Sequence, residues 1–216
     1  MTFDIDQAGW GSSTFYPDDP TFTPRFVVVH WGGTTSQVTD EPLRLRIWQR
    51  YHINSRGWRD IAYNYAVGDS GTIYRCRGMN PGGHTSGVND KTPEGDSYND
   101  ASIGVVWIGG ANDTDGPSPA AYAAMARIVN GYVVKGHRTV KQENGSSTAC
   151  PGTDWLDWIA KGGWEDMGKT TSNPAFQESW DKAIARGVYT EYTNPDDTVT
   201  AEKLAVFLNR AGLLNS

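Results

Sequence analysis

Two histidines and one cysteine carry the strongest chemical signal in this chain. His30 closes the apolar run RFVVVH. His137 follows a glycine at the end of a helix, and Cys150 lies thirteen positions further on, in Ser-Ser-Thr-Ala-Cys-Pro-Gly. A thiolate is a soft ligand that favours zinc over magnesium or calcium. The spacing is not that of a structural zinc finger, whose paired ligands sit a few residues apart. Three ligands from separate elements instead suit a catalytic zinc with an open fourth position. Each residue type also has an ordinary explanation. A histidine at a strand end is more often structural, and a lone cysteine is usually a small buried hydrophobe. Cys76 and Cys150 are the two cysteines, too few for a disulfide framework at this size.

The elements that must position these residues alternate between strand and helix. Arg25 to His30 is a β-branched run after Pro24 and reads as a buried strand. Pro42 to Ser55 reads as a helix, with Leu43, Ile47, Tyr51 and the flanking Leu45 and Trp48 at helical spacing and Gly57 as its stop. Ile61 to Val67 and Thr72 to Arg75 read as a hairpin around Asp69-Ser-Gly71. A Gly-rich loop spans 80–100, and Ser102 to Ile108 is apolar enough for a central strand. A helix opens at Ser118-Pro119 and runs through Val133, 138–147 reads as loop, and Thr153 or Asp154 caps a short helix bearing Trp155 and Trp158. The expected class is α/β, a central mixed β-sheet flanked by helices.

The domain plan that follows is an extended lead-in over 1–24, a main domain over 25–160 and a linker over 161–173. A small helical segment fills 174–216, with Phe176, Trp180 and Ile184 on one helix and Leu204, Phe207, Leu208 and Ala211 on the next. It is either a wall-binding module or a lid on the main core.

The chain has 216 residues, 38% hydrophobic and 20% charged, which suits a folded domain plus a small appendage. Nine Trp and ten Tyr supply either a dense core or flat stacking surfaces for a carbohydrate or peptide. A net charge of -6 argues against nucleic acid as a partner. No stretch approaches the roughly 20 apolar residues that cross a bilayer, so no membrane insertion is expected. Met1 to Pro24 has neither a basic start nor an apolar run, so the sequence predicts synthesis into the cytoplasm without a secretory signal.

The segments VVVHWGGT, GWRDIAYNYAVGDSGTIY, GGHTSGVND, SIGVVWIGG and KGHR…STACPG occur in order over about residues 26–152. Together they resemble the N-acetylmuramoyl-L-alanine amidase family, which includes amidase-type phage lysozymes and peptidoglycan recognition proteins. The resemblance implies a zinc-amidase fold and one Zn2+ held by His30, His137 and Cys150. It implies Tyr63 as the catalytic tyrosine, with Thr148 where phage amidases often carry Lys. It also puts His84 and Asn89 on a loop lining the substrate cleft, and reads His52 as a structural histidine on the helix. The implied partner is peptidoglycan, glycan strand and stem peptide together, met by a monomer. The implied reaction is hydrolysis of the bond between N-acetylmuramic acid and L-alanine.

Two departures from the family pattern stand out. Some branches place a Glu on the central strand, where this chain reads Val105-Val106-Trp107, and Thr148 lacks the charge of Lys. The layout suggests a phage endolysin, made in the host cytoplasm and acting on the wall after release. The rivals are a binder that grips peptidoglycan without cutting it and a zinc endopeptidase acting within the stem.

Overall fold

The computed structural model describes residues 3–33, 38–110 and 116–164. Five strands form one sheet: β1 (Phe26–Trp31), β2 (Tyr65–Val67), β3 (Ile73–Arg75), β4 (Ser102–Trp107) and β5 (Val133–Gly136), in the order β3-β2-β4-β1-β5. β1 runs parallel to both β4 and β5, β4 runs parallel to β2, and the β2–β3 hairpin is antiparallel. The sheet is therefore mixed, with helices α1 (Glu41–Arg50), α2 (Tyr98–Ala101), α3 (Pro119–Val129), α4 (His137–Glu143) and α5 (Thr153–Ala160) around it.

Side chains alternate across the sheet, and that alternation decides what meets what. Val27 and Val29 of β1 join Ile103 and Val105 of β4 under Met125 and Ile128 of α3 and Trp155 of α5. Phe26 and Val28 face the other way, onto Tyr98 of α2 and Val140 of α4. His30 shares their parity, so the strand delivers its imidazole to that second face. Paired across from β1, Ser102, Gly104 and Val106 of β4 stand opposite Phe26, Val28 and His30.

Several elements differ from the sequence reading. α3 stops at Val129, Gly131 takes a positive φ of 87°, and Val133–Gly136 returns as an edge strand instead of extending the helix. The stretch after Gly136, read as loop, is α4. His137 therefore opens a helix instead of following one. The strand expected over 61–67 narrows to Tyr65–Val67, and α1 continues into a π-helical turn over Tyr51–Ser55.

α1 buries Leu45 and packs Trp48 on the core, while the Leu43–Ile47–Tyr51 stripe faces out. Glu41, Leu45 and Gln49 are buried, whereas Leu43, Ile47 and Tyr51 are exposed. The buried polar groups are satisfied. Glu41 accepts hydrogen bonds from Ser70 and Tyr74, and Gln49 binds Ser12, Ser13, Thr14 and Asp60. The N-terminal residues thus pack on the domain, with Trp10 fully buried and its indole N–H on the carbonyl of Arg75. No helix among the described residues is long and apolar enough to cross a membrane. Residues 165–173 of the proposed linker and the helices over 174–216 lie outside the described residues.

Candidate metal centre

The carboxyl ends of β1 and β5 bring His30 and His137 side by side, their ring centroids 4.5 Å apart. The loop after α4 returns Cys150 to the same place. Its sulfur lies 3.8 Å from Nδ1 of His30 and accepts the backbone N–H of Trp31 at 3.3 Å. One ligand atom from each of His30, His137 and Cys150 lies within 4.8 Å of the others. Crevices outside the carboxyl ends of parallel strands are where such sheets bind ligands.

The donor set fits a zinc ion. Nε2 of His137 is buried and has no hydrogen-bond partner, a costly state for a polar atom unless something else occupies its lone pair. Burial, with neighbouring His137 and His84 adding to it, holds His30 well below the usual imidazole range. Burial also pushes His137 down to about 4, so both rings are neutral at pH 7, as ligation requires. Burial drives the Cys150 thiol up to about 12, a cost that a bound cation reverses because a coordinating thiol is deprotonated outright.

Tyr63 lies beside this cluster, its ring 5.4 Å from that of His30. Burial raises its phenol above the ordinary value, which keeps the proton on. Its hydroxyl has no hydrogen-bond partner among the described residues. Thr148 accepts the N–H of Cys150 on its hydroxyl oxygen at 3.2 Å, leaving the hydroxyl proton uncommitted by that bond. Its carbonyl is fixed by Arg138. Asn89 stands exposed at the end of a short 3-10 turn over Gly87–Asn89.

His84 lies elsewhere than on an open wall. It is 5% exposed, beneath His30, with its Nδ1 3.1 Å from Nε2 of that ring and its other nitrogen on Ser102. Ser102 and Gly104 were not singled out in the sequence. The available signal was the pair of small residues that interrupts the otherwise apolar run SIGVVWI.

A family model described as N-acetylmuramoyl-L-alanine amidase matches residues 20–153, a span containing all three metal-ligand candidates. The chain belongs to the N-acetylmuramoyl-L-alanine amidase family. Among relatives of this amidase-family chain, peptidoglycan-recognition protein SC2 of Drosophila melanogaster is 31% identical over 176 residues, covering 72% of this chain and 88% of that protein. Peptidoglycan recognition protein 1 of Mus musculus is 34% identical over 140 residues, covering 59% and 69% respectively. Among solved structures, wild-type Drosophila PGRP-LB aligns with a TM-score of 0.58 at 27% identity, covering 72% of this chain and 91% of that one. Peptidoglycan recognition protein-LE, solved in complex with tracheal cytotoxin, a monomeric diaminopimelic acid-type peptidoglycan, aligns with a TM-score of 0.55. Its identity is 27%, with 68% and 86% of the two chains covered.

Proposed function

We propose that this protein is a zinc-dependent amidase that cuts the bond between the lactyl group of N-acetylmuramic acid and L-alanine of the stem peptide in bacterial peptidoglycan. The convergence of His30, His137 and Cys150 carries this reading, since all three donor positions are filled and lie within 4.8 Å. A zinc ion held there supplies Lewis acidity, polarising the scissile carbonyl and lowering the pKa of water to about 7. The chain supplies the rest. Neutral His30 and His137 present lone pairs, and the N–H of Trp31 donates to the sulfur of Cys150, favouring its thiolate. Tyr63, held protonated by burial, donates a hydrogen bond to the oxygen on which charge develops. Thr148 adds a second, uncharged donor.

The test is digestion of purified wall with the zinc-loaded protein. New L-alanine amino termini are expected. Soluble wall fragments without them would overturn the proposal, and cuts inside the stem would identify an endopeptidase. The relatives named as recognition proteins favour a second reading, in which the cleft grips peptidoglycan without cutting it. Tight wall binding with no new termini at full zinc occupancy would support that reading. The proposal includes a phage endolysin role, acting after release from the host cytoplasm. Cells expressing the protein should then stay intact until their membrane is permeabilised, and lysis without permeabilisation would contradict it.

A further inference from the structure

We infer that His84 is a positioning residue: with Ser102 it locks His30 in the tautomer that presents Nδ1 to the metal. The inference rests on the reading of His30, His137 and Cys150 as ligands.

The proton positions follow from which groups can only accept or only donate. Nε2 of His84 lies 3.4 Å from the carbonyl oxygen of Ser102, and a carbonyl can only accept. The same nitrogen lies 3.2 Å from the hydroxyl of Ser102, whose own proton is committed to the carbonyl of Tyr98. Both contacts therefore require N–H at Nε2 of His84. In the neutral ring its Nδ1 is then the acceptor, so the 3.1 Å contact is a hydrogen bond donated by Nε2–H of His30. Neutral His30 has no second proton, so its Nδ1 carries a lone pair, and this is the nitrogen 3.8 Å from the sulfur of Cys150. A relay from the carbonyl of Tyr98 through Ser102 and His84 thus fixes both the orientation and the basicity of one ligand.

The backbone is shaped for this relay. A Cβ at Gly104 would come 2.3 Å from Cγ of His84, and one at Gly82 would come 2.8 Å from its Cδ2. Two glycines leave the space that the ring occupies against β4. Asn64 accepts the N–H of Gly104 and donates to the carbonyls of Gly78 and Asn80, tying the strand to the segment leading to His84.

The experiment is nitrogen-15 NMR of the imidazoles in the full-length, metal-free protein, combined with zinc titration against a competing chelator. His30 should show a protonated Nε2 and a bare Nδ1. His84→Leu should weaken zinc binding by about 10- to 100-fold, the range for lost outer-shell partners. His84→Asn, which keeps an acceptor at the Nδ1 position, should restore affinity to within about threefold of the native protein, a rescue a purely packing role would not give. A proton on Nδ1 of His30 would overturn the inference without any variant. So would unchanged zinc affinity in a folded His84→Leu protein whose Cys150→Ser counterpart has lost zinc. Zinc retained by Cys150→Ser would instead remove the ligand reading itself.

Discussion

A methyl group placed on Gly136 would stand 2.6 Å from Cδ2 of Leu156 and 3.1 Å from Cδ of Pro151. The bare backbone at the end of β5 lets α5 and the turn carrying Cys150 close onto the start of α4, and so brings the sulfur to His137. Gly136→Ala should push these segments apart. Overpacking of this kind costs about 1–3 kcal/mol, and because the displaced segments carry the proposed ligands His137 and Cys150, zinc affinity should fall with stability. Urea denaturation alongside chelator competition checks both. An Ala variant with native stability and affinity would show that the contact is slack.

Tyr63→Phe removes a proton donor and leaves the ring. The variant should keep zinc and lose about 10²–10³-fold in turnover, the range for deleting one oxyanion donor. Thr148→Val should lower turnover less, because the hydroxyl is a single neutral donor whose oxygen already serves the N–H of Cys150. Loss of zinc from Tyr63→Phe would assign the residue a structural role instead.

His52 makes stability depend on pH. Its ring stacks on Trp58 with centroids 4.9 Å apart, and Nδ1 accepts the N–H of Ala62 at 3.2 Å, so the neutral form is the one that fits. Burial, helped by Arg77 and Arg56, lowers its pKa from 6.5 to about 4. The unfolded chain takes up the proton first. The stabilisation is therefore complete above about pH 6.5 and is lost as pH falls toward about 4. Relative to His52→Gln, the native protein should lose on the order of 2 kcal/mol across that window. Parallel stability curves for the two proteins would exclude this role.

Lys141 lies one turn after His137 on α4 and pairs with Asp90, a carboxylate whose side chain is 2% exposed. Asp90 also accepts the N–H of Ser86, so the pair pins the loop carrying His84 and Asn89 to α4. Lys141→Ala would leave a buried charge without its cation and should destabilise the protein by about 3–5 kcal/mol. Chemical denaturation measures it, and a loss under 1 kcal/mol would mean that water replaces the ammonium.

The convergence of His30, His137 and Cys150 was implied by the ordered family motifs, and the framework was legible because it rests on local rules. The run RFVVVH forms a strand from its β-branched composition, and strand alternation with helices specifies the α/β class. Long-range partners were less legible. α1 was read from its Leu43–Ile47–Tyr51 stripe, yet its inward face is chosen by Ser70, Tyr74 and the N-terminal residues, which satisfy Glu41 and Gln49 from elsewhere in the chain. β5 escaped notice because it is a four-residue edge strand following directly on a helical pattern. The place of His84 depends on the absence of a side chain at Gly104. That explains why its ring reaches His30.

X-ray absorption at the zinc edge of the loaded protein tests the shared site most directly. One sulfur at about 2.3 Å with lighter scatterers at about 2.0–2.1 Å is expected, and Cys150→Ser should abolish the sulfur signal. A zinc spectrum with no sulfur in the native protein would contradict the account.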